Sequence, residues 1–419
     1  MKKYETYKDS GLEWLGMVPE HWGIVPLKYL LSEPLQYGAN ESADNCNPSE
    51  PRYIRITDIT EDGKLRKSTY RTLPYQKAEG YMLKKGDILF ARSGATVGKT
   101  FIFEEDYDAC FAGYLIKASC NEKLLPMFLY YFTSSNSYEN WKNSTFNQAT
   151  IQNIGADKYC TLPIPTPSSE EQEGIINFLS HNVAQIDALI SEKEKMVEDL
   201  KAYRSSLITE TVTKGLDKDV KMKDSGVEWI GKMPQNWKLL KLKRIVNLKS
   251  GTSLTSDRIL DEGKYQVFGG NGPRGYIDDY TNEGNFVLIG RQGALCGNIN
   301  YANGKFWATE HAIICYPLKE IDTIWLGETL RAMNLNQYSI SAAQPGLAVE
   351  RINELLIPTP SISEQKEISS YLKLKITQIE SAISEQEHQL SDLKSYKSSL
   401  ITEAVTGKID LRDWQTKKS

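Results

Sequence analysis

The feature that most constrains this chain is a duplication. The segment Lys8-Asp9-Ser10-Gly11-Leu12-Glu13-Trp14-Leu15-Gly16 recurs as Lys223-Asp224-Ser225-Gly226-Val227-Glu228-Trp229-Ile230-Gly231 at an offset of 215 residues. The match runs on through Pro19/Pro234, Trp22/Trp237 and Leu27-Lys28/Leu242-Lys243. A second match pairs Ile164-Pro165-Thr166-Pro167 with Ile357-Pro358-Thr359-Pro360, Glu171-Gln172 with Glu364-Gln365, and residues 205–210 with 398–403, now at an offset of 193. The 419 residues are therefore two copies of one unit, the second shorter by 22 residues between its opening motif and its Ile-Pro-Thr-Pro. A chain that repeats itself once in this way builds a pseudo-symmetric molecule.

Between these motifs the copies diverge. Residues 28–160 and 243–353 share short β-branched and aromatic runs broken by Gly, Asn and Pro but few identities, which predicts a β-rich domain of changeable surface in each copy. After each Ile-Pro-Thr-Pro the pattern turns helical, with Ser168-Ser169 or Ser361 and Ser363 as cap candidates, acids in the first turn and a long run without proline. Apolar residues keep a heptad there: Leu179, Val183, Ile186, Ile190, Val197, Leu200 and Leu207, then Leu372, Ile376, Ile379, Ile383, Leu390, Leu393 and Leu400. Both seams break with a polar residue at the same two places, Lys193/Gln386 and Arg204/Lys397, a device that fixes register and partner. Each helix covering only its own domain is one reading; pairing of the two helices accounts better for the matched breaks. The expected fold class is α+β: two β-rich domains separated by a long antiparallel two-helix coiled coil, with an internal pseudo-two-fold. The expected boundaries are 1–165 for the first domain, 166–215 for the first helical spacer, 216–358 for the second domain and 359–419 for the second spacer.

Charge divides labour along this frame. Residues 64–100 hold nine basic and two acidic side chains, residues 232–305 eleven and six, and residues 168–200 two basic and eight acidic. Two basic, aromatic-bearing domains held apart by an acidic rod suit a bipartite polyanion reader better than a metabolic enzyme; for any single run, a solvated surface without a partner is the alternative. The net charge of −4 argues against non-specific coating of nucleic acid. Mean hydropathy is −0.45, no apolar run nears the roughly 18 residues of a membrane span, and no apolar stretch follows Lys2-Lys3. A cytoplasmic protein without membrane contact is expected. The six cysteines lack zinc-ligand spacing and are expected to be reduced and mostly buried.

Catalytic motifs fail one by one. Arg92-Ser93-Gly94-Ala95-Thr96-Val97-Gly98-Lys99-Thr100 resembles a phosphate loop but has three residues between its glycines where the Walker pattern needs four, and residues 291–298 of the second copy lack the Lys-Thr. What the copies share is Arg-x-Gly-Ala-x-x-Gly after an apolar run, which predicts a strand leading into a tight turn that presents an arginine. Glu262-Gly263-Lys264 lacks the partners of a nuclease site, Asn47-Pro48-Ser49-Glu50 is not an adenine-methylation loop, and the four histidines are scattered. Neither catalysis nor metal binding is expected.

The remaining motifs are Phe268-Gly269-Gly270-Asn271-Gly272-Pro273-Arg274-Gly275-Tyr276, Thr309-Glu310-His311-Ala312 and Ala343-Gln344-Pro345-Gly346-Leu347. Taken in order with the duplicated motifs, they resemble the specificity (S) subunit of type I restriction-modification enzymes, over nearly the whole chain. The resemblance implies a non-catalytic subunit of a DNA adenine methyltransferase and restriction endonuclease. Its β-rich domains would be target recognition domains, each reading one half of a bipartite asymmetric DNA target. The helices would dock two methylation (M) subunits, and restriction (R) subunits would join the complex. It implies no cofactor in this chain, with S-adenosylmethionine, ATP and Mg on the partners. The first copy lacks Phe-Gly-Gly-Asn-Gly and shows a different variant around Tyr53-Ile54-Arg55-Ile56-Thr57-Asp58-Ile59. A free-standing DNA-binding protein of this fold and a coiled-coil scaffold whose domains bind protein or glycan are the competing readings.

Major-groove reading uses Arg for guanine and Asn or Gln for adenine, while Lys on phosphates sets affinity. The candidate readers are Arg55, Arg92, Ser93 and Gln148 in the first half, and Asn271, Arg274, Arg291, Gln292 and Gln344 in the second. Lys84, Lys85, Lys99 and Lys264 are the phosphate candidates. For each, a surface role without DNA contact is the alternative. Trp14/Trp229 and Trp22/Trp237 are expected to anchor packing rather than to stack on bases.

Overall fold

The computed structural model describes residues 2–42, 44–60, 63–145, 153–293, 295–339 and 346–414; Gln148 and Gln344 lie outside them. The chain forms two compact units, residues 1–193 with 388–419, and residues 194–387. Each unit takes one half of each of two long helices, α1 (Ser169–Lys214) and α2 (Ile362–Val405).

The duplicated motifs do the same work in both units. Asp-Ser-Gly is a hairpin turn: Asp9 and Ser10 accept from the amides of Gly11 and Leu12, and Asp224 and Ser225 from those of Gly226 and Val227. The glycines take φ of +71° and +69°, which a side chain would strain. The strand that follows the second tryptophan, Gly23–Pro26 or Lys238–Lys241, pairs antiparallel with the Ile-Pro-Thr-Pro strand, Pro163–Thr166 or Leu356–Thr359. The first and last motifs of each copy thus clasp each other. Ser168 and Glu171 form a capping box at the start of α1, as Ser361 and Glu364 do for α2. The same carboxylates accept from the indoles of Trp22 (3.4 Å) and Trp237 (3.1 Å). Burial alone would raise the Glu171 carboxyl, but His21, Trp22 and Ser168 hold it below its usual range. The adjacent glutamines are buried fasteners: Gln172 accepts from Leu125 N and donates to Pro167 O, and Gln365 accepts from Asp322 N and donates to Pro360 O. Trp22 and Trp237 are fully buried, and Trp14 and Trp229 pack half-buried against the same cores.

The domain between the clasps is a sheet in the same strand order in both units. In the first the order is Gln36–Tyr37, Leu115–Ala118, Ile88–Ala91, Thr100–Ile102, with Arg52–Ile54 and Ala109–Phe111 as a parallel pair beside it. In the second it is Val246–Ser250, Ala312–Pro317, Asn282–Gly290, Ile299–Ala308, extended by Tyr265–Gly269 and Gly272–Ile277. Short helices, Pro126–Phe132 and Asn136–Thr145 in one and Thr323–Ala332 in the other, join each sheet to the long helices.

Within each unit the halves of α1 and α2 pair antiparallel. Lys397 contacts Asp187 at 2.6 Å in the first, and Arg204 contacts Glu380 at 3.1 Å in the second. Arg204 moved on by 193 residues is Lys397 and Glu380 moved back by 193 is Asp187, so the second of the two matched polar breaks is one ion pair made twice. The compact units cut through both helices instead of following the expected domain and spacer limits. The reason is packing: Ile175, Leu179 and Ile186 of α1 and Leu400, Ile401, Ala404 and Val405 of α2 share one core with Trp22, Phe128 and Phe132. Among the described residues no helix is long and apolar enough to cross a membrane.

Candidate nucleic-acid interface

In both units a strand, Ile88–Ala91 or Asn282–Gly290, runs with its last four residues buried into the Arg-x-Gly-Ala turn. Gly98 N donates to Ala91 O at 2.7 Å and Gly297 N to Gly290 O at 2.8 Å, with φ of +81° and +86° at the donors. Lys99-Thr100 then opens a strand, not a helix, so the string offers none of the helix N-terminal amides with which a phosphate loop holds its ligand.

Backbone pairing identifies the counterparts around each arginine. Arg92 N donates to Tyr114 O at 3.1 Å and Arg291 N to His311 O at 2.9 Å, which makes Tyr114 and His311 equivalent. Tyr37 lies opposite Ile116 and Ser250 opposite Ile313, which makes Tyr37 and Ser250 equivalent. The Arg92 guanidinium sits 5.0 Å from the Tyr37 ring centroid and 5.9 Å from that of Tyr114. Its Nε is buried without a hydrogen-bond partner among the described residues. Arg291 instead donates to Ser250 Oγ at 3.3 Å. Ser93 bridges to Asn153 and Gln292 to Gly346, so each turn is tied to the segment that follows the Gln148 or Gln344 stretch.

In the second domain Phe-Gly-Gly-Asn-Gly is a hairpin that the end of Asn282–Gly290 approaches closely, backbone to backbone: a Cβ on Gly290 would lie 2.2 Å from Gly270 O. The hairpin walls an open groove of about 400 Å³ lined by Asn271, Arg274, Gln292, Leu295 and His311. Three sequence-predicted readers thus meet there, with Arg291 next in the chain. Asn271 Oδ1 accepts from Asn298 Nδ2 at 3.0 Å, and its side-chain amide nitrogen makes no hydrogen bond among the described residues.

Other candidates stand apart. Arg55 is committed internally: it donates to both carboxylate oxygens of buried Asp58 (2.8 and 3.0 Å) and to Thr69 O, and Asp58 raises its pKa. Lys84 and Lys85 precede Ile88–Ala91, the strand that leads to Arg92, so they lie at its opposite end, and Lys85 pairs with Asp106. Lys264 is exposed just before Tyr265–Gly269, at the end remote from the Asn271 hairpin. Lys99 lines a different groove, of about 460 Å³, with Tyr130, Glu139, Asp187 and Lys397. Part of the basic run is also matched internally, since Lys241 and Lys243 flank Glu354 and hold its carboxyl at about 2. Tyr37, Tyr114 and His311 were not legible as site residues, because only strand register brings them to the arginines.

A model of the type I restriction modification DNA specificity domain matches residues 36–199 and again 234–388. The specificity subunit of the Escherichia coli type I restriction enzyme EcoprrI is 29% identical over 327 residues, covering 76% of this chain and 79% of that one. The MjaVIII specificity subunit of Methanocaldococcus jannaschii is 24% identical over 98% of this chain and 97% of its own. Among solved structures, a chain from work on complex assembly and conformational transition of the type I R-M system superposes with a TM-score of 0.74 at 16% identity, covering 94% of this chain and 99% of that one. The HsdS subunit from Thermoanaerobacter tengcongensis follows at 0.51 and 17%, covering 94% and 98%. With two domain matches that fall on the two copies and a shared fold, the chain belongs to the type I restriction-modification DNA specificity family.

Proposed function

We propose that this chain is the DNA sequence-specificity subunit of a type I restriction-modification complex, in which each β-rich domain reads one half of a bipartite, asymmetric target. The observation that carries this reading is the pair of equivalent Arg-x-Gly-Ala turns set among different side chains, Tyr37 and Tyr114 in one domain and Ser250 and His311 in the other. One scaffold then presents two chemistries, as a target of unlike halves requires. The chain is a non-catalytic adaptor; the paired helices, made twice, seat two methylation subunits, and restriction subunits join through them. S-adenosylmethionine, ATP and Mg belong to those partners.

The test is co-expression with the neighbouring methylation subunit in a host without other modification, followed by long-read sequencing for modified adenines. The expected result is one split motif, of which a single half changes when residues 243–353 are exchanged for those of another specificity chain. Absence of any motif, with the methylation subunit active beside another specificity chain, would overturn the reading.

A further inference from the structure

The two turn arginines are equivalent in backbone but not in surroundings. Arg92 carries no side-chain hydrogen bond or ion pair among the described residues, and its guanidinium lies by two tyrosine rings, at 5.0 and 5.9 Å from their centroids. Both rings are well exposed, Tyr37 by 41% and Tyr114 by 59%, so this pairing sits at the surface rather than in a core. Tyr37 is itself fixed, since its hydroxyl accepts from Ala156 N at 2.9 Å. Tyr114 is fixed by its backbone, whose carbonyl holds Arg92 N. Aromatic faces satisfy a guanidinium's charge without using its in-plane N–H donors. An arginine held this way has its side-chain freedom already removed and its fork of donors unspent. That is the state from which a bidentate contact to the O6 and N7 acceptors of guanine costs least.

We propose that Arg92 reads a guanine in the half-site taken by the first domain, and that Tyr37 and Tyr114 are positioning residues that hold it to that base. The proposal rests on the specificity role above and deepens it. The second domain lacks the device: Ser250 and His311 occupy the tyrosine positions, and its polar groups gather in the Asn271, Arg274 and Gln292 groove. Arg55, tied to Asp58 and Thr69, is not available for this task.

The experiment uses the full chain with its methylation subunit. The first domain's half-site is the half of the methylated motif that survives exchange of residues 243–353. A fixed guanine, on either strand, is expected there. The double variant Tyr37→Ser, Tyr114→His, which installs the second domain's residues, is expected to relax that one position and to leave the other half intact. The purified complex is then bound to motif duplexes carrying 7-deazaguanine at each guanine of that half. One such replacement is expected to weaken the wild-type complex by roughly fivefold or more, and the Arg92→Gln complex by nothing. A first half without a fixed guanine, a double variant with an unchanged motif, or a wild-type complex indifferent to every 7-deazaguanine would each overturn the proposal. Because the last measurement uses the wild-type chain, a variant that fails to fold does not protect it. A wild-type chain that directs no motif at all defeats the specificity reading itself, a distinct result.

Discussion

Arginines in this chain divide by what already holds them. Arg55 and Arg92 were equally attractive as base readers by residue type, yet Arg55 closes a carboxylate fork on Asp58, which is 1% exposed, while Arg92 lies against tyrosine rings. Removing Arg55 therefore strands a buried charge. Arg55→Ala is expected to lower stability by about 2 kcal/mol, discounted for the partial exposure of the guanidinium, and to leave the methylated motif unchanged. Denaturant melts of the variant combined with motif sequencing check both parts; an altered motif at unchanged stability would make Arg55 a reader after all. Single-residue roles of this kind were not legible in the sequence, because a spacing of three residues between Arg55 and Asp58 does not say whether a guanidinium turns inward. The glycines of Arg-x-Gly-Ala-x-x-Gly were legible, because a tight turn leaves little choice of residue, and Gly98 and Gly297 take φ of +81° and +86°.

At the scale of elements, the heptad was the strongest signal and the structure follows it closely. Seam residues such as Leu179, Ile186, Val197, Leu372, Ile379 and Ile383 are buried, and the polar break Arg204/Lys397 is ion-paired in both units. The Lys397–Asp187 pair, at 28% and 48% exposure, is suited to a charge-swap test. Lys397→Glu sets like charges together and is expected to cost about 1 kcal/mol; adding Asp187→Lys should restore most of it. Equal costs for the single and double variants in thermal melts would mean that the pair does not couple. Harder to read were the short helices inside the β-rich domains. Pro126–Phe132 has the sequence PMFLYYF, aromatic enough to suggest a strand, and becomes a helix because Pro126 opens it and its rings pack into the core shared by the long helices. Thr323–Ala332 begins where Asp322 accepts from Ile324 N and Trp325 N, a cap spaced too closely to stand out against a β-rich background.

For the whole molecule, the repeat in sequence and the unit in space are different objects. The first copy ends near residue 215, but the first compact unit ends at Lys193 and resumes at His388. A fragment of residues 1–215 would lack six residues of its own core, among them Leu400, Ile401, Ala404 and Val405 of α2. At about 1.5 kcal/mol or more for each of the three large aliphatic side chains of α2 among them, that loss rivals the entire stability of a marginal domain, about 5 kcal/mol. The duplication supplies a substitute: Leu207, Ile208 and Val212 stand 193 residues before Leu400, Ile401 and Val405. The fragment is therefore expected to fold only when a second copy lends that stretch, so its melting temperature should rise with concentration. Excising residues 194–387 instead, and joining Lys193 to His388 by a loop of about four residues, keeps the native core in one chain. Lys193 Nζ already reaches Gln389 Oε1 at 2.5 Å, so such a loop has little distance to close. This joined chain is expected to sediment as a monomer with a concentration-independent, cooperative melt followed by circular dichroism. A folded monomer of residues 1–215, or a joined chain without a cooperative transition, would show that α2 does not complete the first unit.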